Sequence, residues 1–235
     1  MRYRNGFALG LVVLMMVAFM GAAPATAAEQ FISGGLQIHA FNFQSKADVE
    51  YEIPDGKFAI GGQDIGGTKI DGDVDYKTDT TIGFALGYTY ISPEDWFLGG
   101  ELIFANYKGE FKGDLKGDFK GNDIKYDVKS DAEIKSTRIG ALGGYYFKPK
   151  PLRPYVMGGL GLNLNELDIE DVDKESATHF SISAGGGADY FTGNWVLGAN
   201  LRLDYYLAEE YEVEDFTVTM NRIPVLLTAR VGYVF

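Results

Sequence analysis

From residue 31 to the C-terminus, apolar and polar positions alternate with period two in segment after segment, the pattern of half-buried β-strands. Eight such segments stand out, at 31–41, 79–91, 95–108, 133–147, 153–167, 177–191, 194–208 and 217–235. Each approaches or exceeds the roughly 10 residues with which a tilted strand crosses a bilayer. The connections alternate too. Ser92-Pro93-Glu94-Asp95, Lys148-Pro149-Lys150-Pro151 and Thr192-Gly193-Asn194 are tight, whereas 42–78, 109–132, 168–176 and 209–216 are longer and charged. Short turns at one end and long loops at the other predict an all-β, eight-stranded, antiparallel, up-and-down transmembrane β-barrel. Both termini are expected in the periplasm.

Parity within the strands assigns their faces. In the last strand Leu227, Ala229, Val231, Tyr233 and Phe235 share one face with Val225, while Thr228, Arg230 and Gly232 share the other. A soluble barrel turns its apolar face inward, but a membrane barrel turns it to lipid. On that outward parity Tyr88, Tyr90, Trp96, Tyr145, Phe147, Tyr190, Trp195, Tyr233 and Phe235 all lie beside short turns or the C-terminus. Amphipathic rings favour a membrane interface, so these nine are expected to form the periplasmic aromatic girdle.

Composition narrows the chemistry. The 235 residues contain no cysteine, which excludes disulfide frameworks, thiolate nucleophiles and iron–sulfur clusters, and only two histidines, His39 and His179. A net charge of −12 argues against a nucleic-acid partner. Arg2 and Arg4, the apolar run Phe7 to Met20 and the small residues from Ala22 to Ala28 read as a secretory signal peptide over 1–28, which leaves a barrel domain at 29–235.

The terminal Ala229-Arg230-Val231-Gly232-Tyr233-Val234-Phe235 looks like the signal read by the barrel assembly machinery, with Gly232, Tyr233 and Phe235 as its marks. Arg153-Pro154-Tyr155-Val156, Gly158-Gly159-Leu160-Gly161 and Gly187-Ala188-Asp189-Tyr190 extend the likeness. The mature chain resembles the eight-stranded outer-membrane β-barrel superfamily, OmpA-like and outer membrane protein W-like. That resemblance implies the cell outer membrane of a Gram-negative bacterium, and passage of small, mostly apolar molecules as one activity. It also draws attention to Pro224 as a possible strand break, because a proline occurs at a similar place in the outer membrane protein W pattern.

Inward parity collects Glu101, Arg138, Asp189, Arg202, Asp204 and Arg230 in the lumen, three acidic and three basic. An eight-stranded barrel is just wide enough for its own side chains. The expectation is therefore a charge-paired plug and a monomeric, structural or surface-exposed envelope protein with no cofactor and no catalysis. A narrow channel or lateral-exit transporter is the alternative, and a lipid-modifying enzyme built on His179-Phe180-Ser181 is the third. Outside, the loops carry nearly all the net charge. They are expected to face outer-membrane lipid and lipopolysaccharide, where divalent cations can bridge the two; Asp71, Asp73 and Asp75 offer calcium-type oxygens but lack the distal Glu of an EF-hand, so a solvated acidic loop is the preferred reading there.

Overall fold

The computed structural model describes residues 29–52, 59–60, 63–64, 69–119, 122–147, 149, 151–169, 174–207, 209–213 and 216–235. The expected signal peptide lies outside them. Strands follow in the order β1 (Glu29–Glu52), β2 (Ala59–Ile60), β3 (Gln63–Asp64), β4 (Lys69–Thr78), β5 (Thr81–Ile91) and β6 (Trp96–Phe119). They continue as β7 (Asn122–Tyr146), β8 (Leu152–Ile169), β9 (Glu175–Thr192), β10 (Trp195–Leu207), β11 (Glu209–Val213) and β12 (Phe216–Val234).

Eight of these close the ring. β1, β5, β6, β7, β8, β9, β10 and β12 pair antiparallel in that order, and β12 returns to β1 with Phe31 opposite Val234 and Leu36 opposite Ala229. Beyond β5, β4 occupies its place between β1 and β6; beyond β10, β11 continues beside β12. The long connections expected at 42–78 and 109–132 are therefore largely strand. β6 and β7 pair without interruption from Trp96 opposite Tyr145 to Phe119 opposite Asn122.

Sequence alternation was easiest to read where strands face lipid, and outside that band its polarity inverts. On β6, Leu98 and Phe104 are exposed and Glu101 is buried, yet farther out Lys108 and Lys112 are exposed and Tyr107 and Phe111 are buried. β7 does the same, with Arg138 in the lumen but Ile134 and Ala132 buried above it, beside exposed Lys135. One strand thus obeys the membrane rule for its inner half and the soluble-barrel rule for its outer half. Water replaces lipid as the outside solvent, and apolar groups move inward to escape it.

The periplasmic turns are tight. Asp95 adopts φ 69°, and its carbonyl accepts the Tyr146 N–H at 2.9 Å. Gly193, at φ 57°, supplies the left-handed residue of the β9–β10 turn without a Cβ penalty.

Candidate functional site

The lumen is stacked in three layers. At the periplasmic floor Phe31, Ile91, Phe97, Tyr146, Tyr155, Met157, Phe191 and Val196 form one apolar cluster. Edge-to-face ring contacts link it, with Phe97 and Tyr155 centroids 5.6 Å apart. Above them sits the charged layer. Near the outer end Tyr107, Tyr206 and Tyr211 are buried with Met220, Leu226, Ile134 and Leu167.

The charged layer falls into two groups. Glu101 on β6 accepts hydrogen bonds from Arg202 Nη1 at both carboxylate oxygens, 2.7 and 2.8 Å, and from Arg138 Nη1. Arg202 Nε lies 2.8 Å from Asp204 Oδ1, and Arg138 Nε lies 3.6 Å from Asp204 Oδ2. Arg138 also donates to Ser183 Oγ at 2.7 Å. Closer to the floor, Asp189 Oδ2 accepts from Arg230 Nη2 at 2.6 Å and from the Tyr146 hydroxyl at 2.5 Å. All six charged residues named from parity thus lie together in the lumen as two ion-pair groups, two acids with two arginines and one acid with one. Charges removed from water on this scale persist only when paired and hydrogen-bonded.

Glycines clear the space these long side chains need. A Cβ at Gly161 would collide with the Arg138 guanidinium, and one at Gly198 with Asp189 Oδ1. Between the charged layer and the floor a cavity of about 40 Å³ remains, lined by Ser33, Glu101, Tyr155, Asn200, Thr228 and Arg230 among others. That is room for roughly three water molecules.

Several residues of the lumen network escaped the sequence reading. Arg153 is buried, ion-pairs with Asp95 and stands 4.4 Å from the Tyr146 ring centroid, so it ties the β5–β6 turn to the start of β8. Arg222 is sandwiched over Tyr107 and Tyr206 at 5.3 and 4.9 Å. The Tyr107 hydroxyl meets His39 Nδ1 at 2.7 Å. Parity would have found both arginines: Arg153 shares it with Tyr155, and Arg222 with Thr228 and Arg230. His179 and Ser181 both face the lumen. The serine hydroxyl accepts from Asn163 Nδ2 at 2.9 Å, while the imidazole packs 5.3 Å from the Tyr211 ring.

The aromatic positions gather at one end. Trp96, Tyr145, Phe147, Tyr190, Trp195, Tyr233 and Phe235 are exposed, in contacting pairs such as Trp195 and Tyr233 at 5.5 Å. Tyr90 is half-buried against Trp96. Tyr88 is buried on the same parity, its hydroxyl bonded to Gln30. Val225, assigned outward by parity, is buried beside Pro224, where pairing becomes irregular. Among the described residues no group of histidine and acidic side chains is arranged to hold a metal ion, and the side chains of Asp71 and Asp73 lie outside them.

The closed antiparallel ring has counterparts among known proteins. The outer membrane protein beta-barrel domain family matches residues 10–223. The chain belongs to that family. It is an outer-membrane β-barrel of the Gram-negative envelope, located in the cell outer membrane. Among solved structures it is similar to the outer membrane protein OprG from Pseudomonas aeruginosa. That match has 18% identity and a TM-score of 0.57, over 89% of this chain and 96% of that one. Neisserial surface protein A matches with 18% identity and a TM-score of 0.47, over 87% and 97%. Ail of Yersinia pestis matches with 17% identity and a TM-score of 0.42, over 88% and 99%. At these identities the likeness is one of fold. No curated protein matches the chain significantly.

Proposed function

We propose that the protein is a structural, surface-exposed component of the outer membrane whose lumen is closed and which performs no catalysis. The observation that supports this reading is the layered filling of the lumen: an aromatic floor, paired charges, then a second aromatic and apolar layer. The partners it assigns are the surrounding lipid and lipopolysaccharide, and the assembly machinery that inserts the barrel. Planar-bilayer recording tests it. The purified barrel is expected to give no conductance steps, and steady openings of the unmodified protein would overturn the reading.

A specific observation favours one second reading, lateral exit of small apolar molecules. Pairing of β12 with β1 is in irregular register between His39 and Ser45, opposite Pro224 and Val225. On its other side β12 pairs with β10 only as far as Val225 and with β11 only from Met220 outward. Residues 221–224 therefore sit where pairing on the β10–β11 side is interrupted and the register against β1 shifts, just outside the apolar band.

A further inference from the structure

Beyond the barrel proper, β7 is a sheet edge. It pairs with β6 from Tyr145 to Asn122, but with β8 only from Tyr146 to Ala132, so among the described residues its outer ten positions have a strand on one side alone. An unpaired edge displays backbone donors and acceptors ready for another strand.

The register of that hairpin is unusual in its charges. Along β6 and β7, Glu110 stands opposite Asp131, Lys112 opposite Lys129, Asp114 opposite Asp127, Lys116 opposite Lys125 and Asp118 opposite Asp123. Outside the Lys108–Glu133 rung, these five charged rungs unite like with like, an arrangement that destabilises cross-strand pairs. Relief at the inner rungs comes along β6 and diagonally across it: Glu110 reaches Lys112 of its own strand at 2.5 Å and Lys129 of β7 at 3.2 Å. These contacts, the hydrogen bond from Lys112 foremost, hold the Glu110 carboxyl below its ordinary range. Farther out, the register sets no opposite charge of β6 directly across from Asp123, Lys125 or Asp127 of β7.

The sequence of the edge supplies the complement itself. Asn122-Asp123-Ile124-Lys125-Tyr126-Asp127-Val128-Lys129-Ser130 aligned antiparallel with a second copy about Tyr126 sets Asp123 opposite Lys129 and Lys125 opposite Asp127. Ile124 meets Val128, and Asn122 meets Ser130. All charged rungs become opposite in sign, and the contact is isologous, as a two-fold axis requires. We infer that the outer edge of β7 is a docking site for a second copy of this chain held in an opposing membrane, joined to it by antiparallel strand addition.

Direction of the strand selects the opposing membrane. β7 runs from tip to membrane in every copy, so neighbours in one membrane present it in the same sense and cannot form an antiparallel ladder. Tyr126 lies thirteen residues beyond Ile139, an outward apolar position of β7, which places it about 30 Å outside the lipid band for a tilted strand. That height lets two surfaces meet where long saccharide chains are absent.

The test uses the full-length protein displayed on cells with short lipopolysaccharide. Wild-type cells are expected to clump and settle. An acidic-edge variant, Lys125→Asp with Lys129→Asp, and a basic-edge variant, Asp123→Lys with Asp127→Lys, are each expected to stay dispersed, and a one-to-one mixture to settle as wild type does. Both variants turn like-charged β6–β7 rungs into opposite ones, so dispersal does not follow from a weakened hairpin. Tyr126→Cys, in a chain with no native cysteine, is expected to give a disulfide-linked dimer only in settled cells. Dispersed wild-type cells at equal surface level, settling of either variant alone, or a mixture that stays dispersed would overturn the inference.

Discussion

Glu101 receives Arg202 from the far side of the lumen, both carboxylate oxygens within 2.8 Å of one guanidinium nitrogen, while Arg138 approaches the same carboxylate from the adjacent strand. One acid thus fixes β6, β7 and β10 around a common point. Glu101→Gln keeps the shape but leaves two arginines sharing only Asp204. Removing one member of a buried ion pair costs about 3 to 5 kcal/mol. The variant is expected to unfold at lower urea in vesicles. An unchanged midpoint would mean that water, not Glu101, carries the arginines.

Gly198 answers a different requirement, that of space. It faces Arg230 across the β10–β12 pair, and a methyl group there would collide with Asp189 Oδ1. Gly198→Ala is expected to displace the Asp189 carboxylate from Arg230 and the Tyr146 hydroxyl. Overpacking of this kind costs about 1 to 3 kcal/mol. Gly158→Ala, where an added Cβ would meet only the Ser183 carbonyl at 3.5 Å, is the control and should leave the unfolding midpoint nearly unchanged. Equal losses in both would show that backbone stiffness, rather than the ion pair, sets the cost.

The two cases show what a linear sequence can and cannot reveal about this barrel. Alternation with period two tells which residues enter the lumen, so Glu101, Arg138, Arg202 and Asp204 are legible as inward charges. It does not tell which of them meet, because strand stagger brings Glu101 to Arg202 across the barrel and not along it. Outer extension is legible only in part: charged and apolar positions alternate through the four-residue repeat at 108–123 as in a continuing strand, but its glycines fit a flexible loop equally well. Past Phe104 the outward positions become Lys108, Glu110 and Lys112, and a charged face resembles a loop until its inward partners Tyr107 and Phe111 are seen to be buried. Arg153 opens the expected strand 153–167 on the parity of Tyr155, but a charge at a strand end beside a turn need not be buried, whereas this one lies under Tyr146 and Phe191.

Arg153 links the periplasmic floor to the turn below it through Asp95 and, at 3.7 Å, Glu29. Arg153→Met keeps much of the packing and removes the charge. The β5–β6 turn is then expected to open to protease from the periplasmic side, with the outer half of the barrel unaffected. Cleavage confined to the outer hairpins would place its role elsewhere.

Phe235 ends the outward row of Tyr233, Val231, Ala229 and Leu227 and is 60% exposed, so little barrel packing depends on it. Its N–H bonds to the Gln30 carbonyl at 3.1 Å, a contact any residue could make. If the ring serves recognition during assembly, as proposed, deleting Phe235 is expected to leave refolding in detergent intact while reducing outer-membrane yield in cells. Equal loss in both settings would make the residue a matter of stability alone.

Pro224 separates the closed barrel from the lateral exit. It stands in β12 opposite Asn42, where proline cannot donate to the ladder; the register against β1 shifts on either side of that pair, and pairing with β10 has ended at Val225. A rim irregularity with no transport role is common in barrels. If the gap is only that, Pro224→Val is expected to add a hydrogen bond worth about 1 kcal/mol, raise the unfolding midpoint slightly and change nothing else. If apolar solutes leave the lumen sideways between β1 and β12, the same substitution should also slow entry of an apolar dye into cells at equal protein level. The filled lumen favours the first outcome, because a solute reaching Pro224 from outside must pass Met220, about 1% exposed, and Arg222 beside two tyrosine rings. Dye entry that falls in Pro224→Val cells and recovers in a Val background carrying a new break, Ile223→Pro, would instead establish the gap as a route.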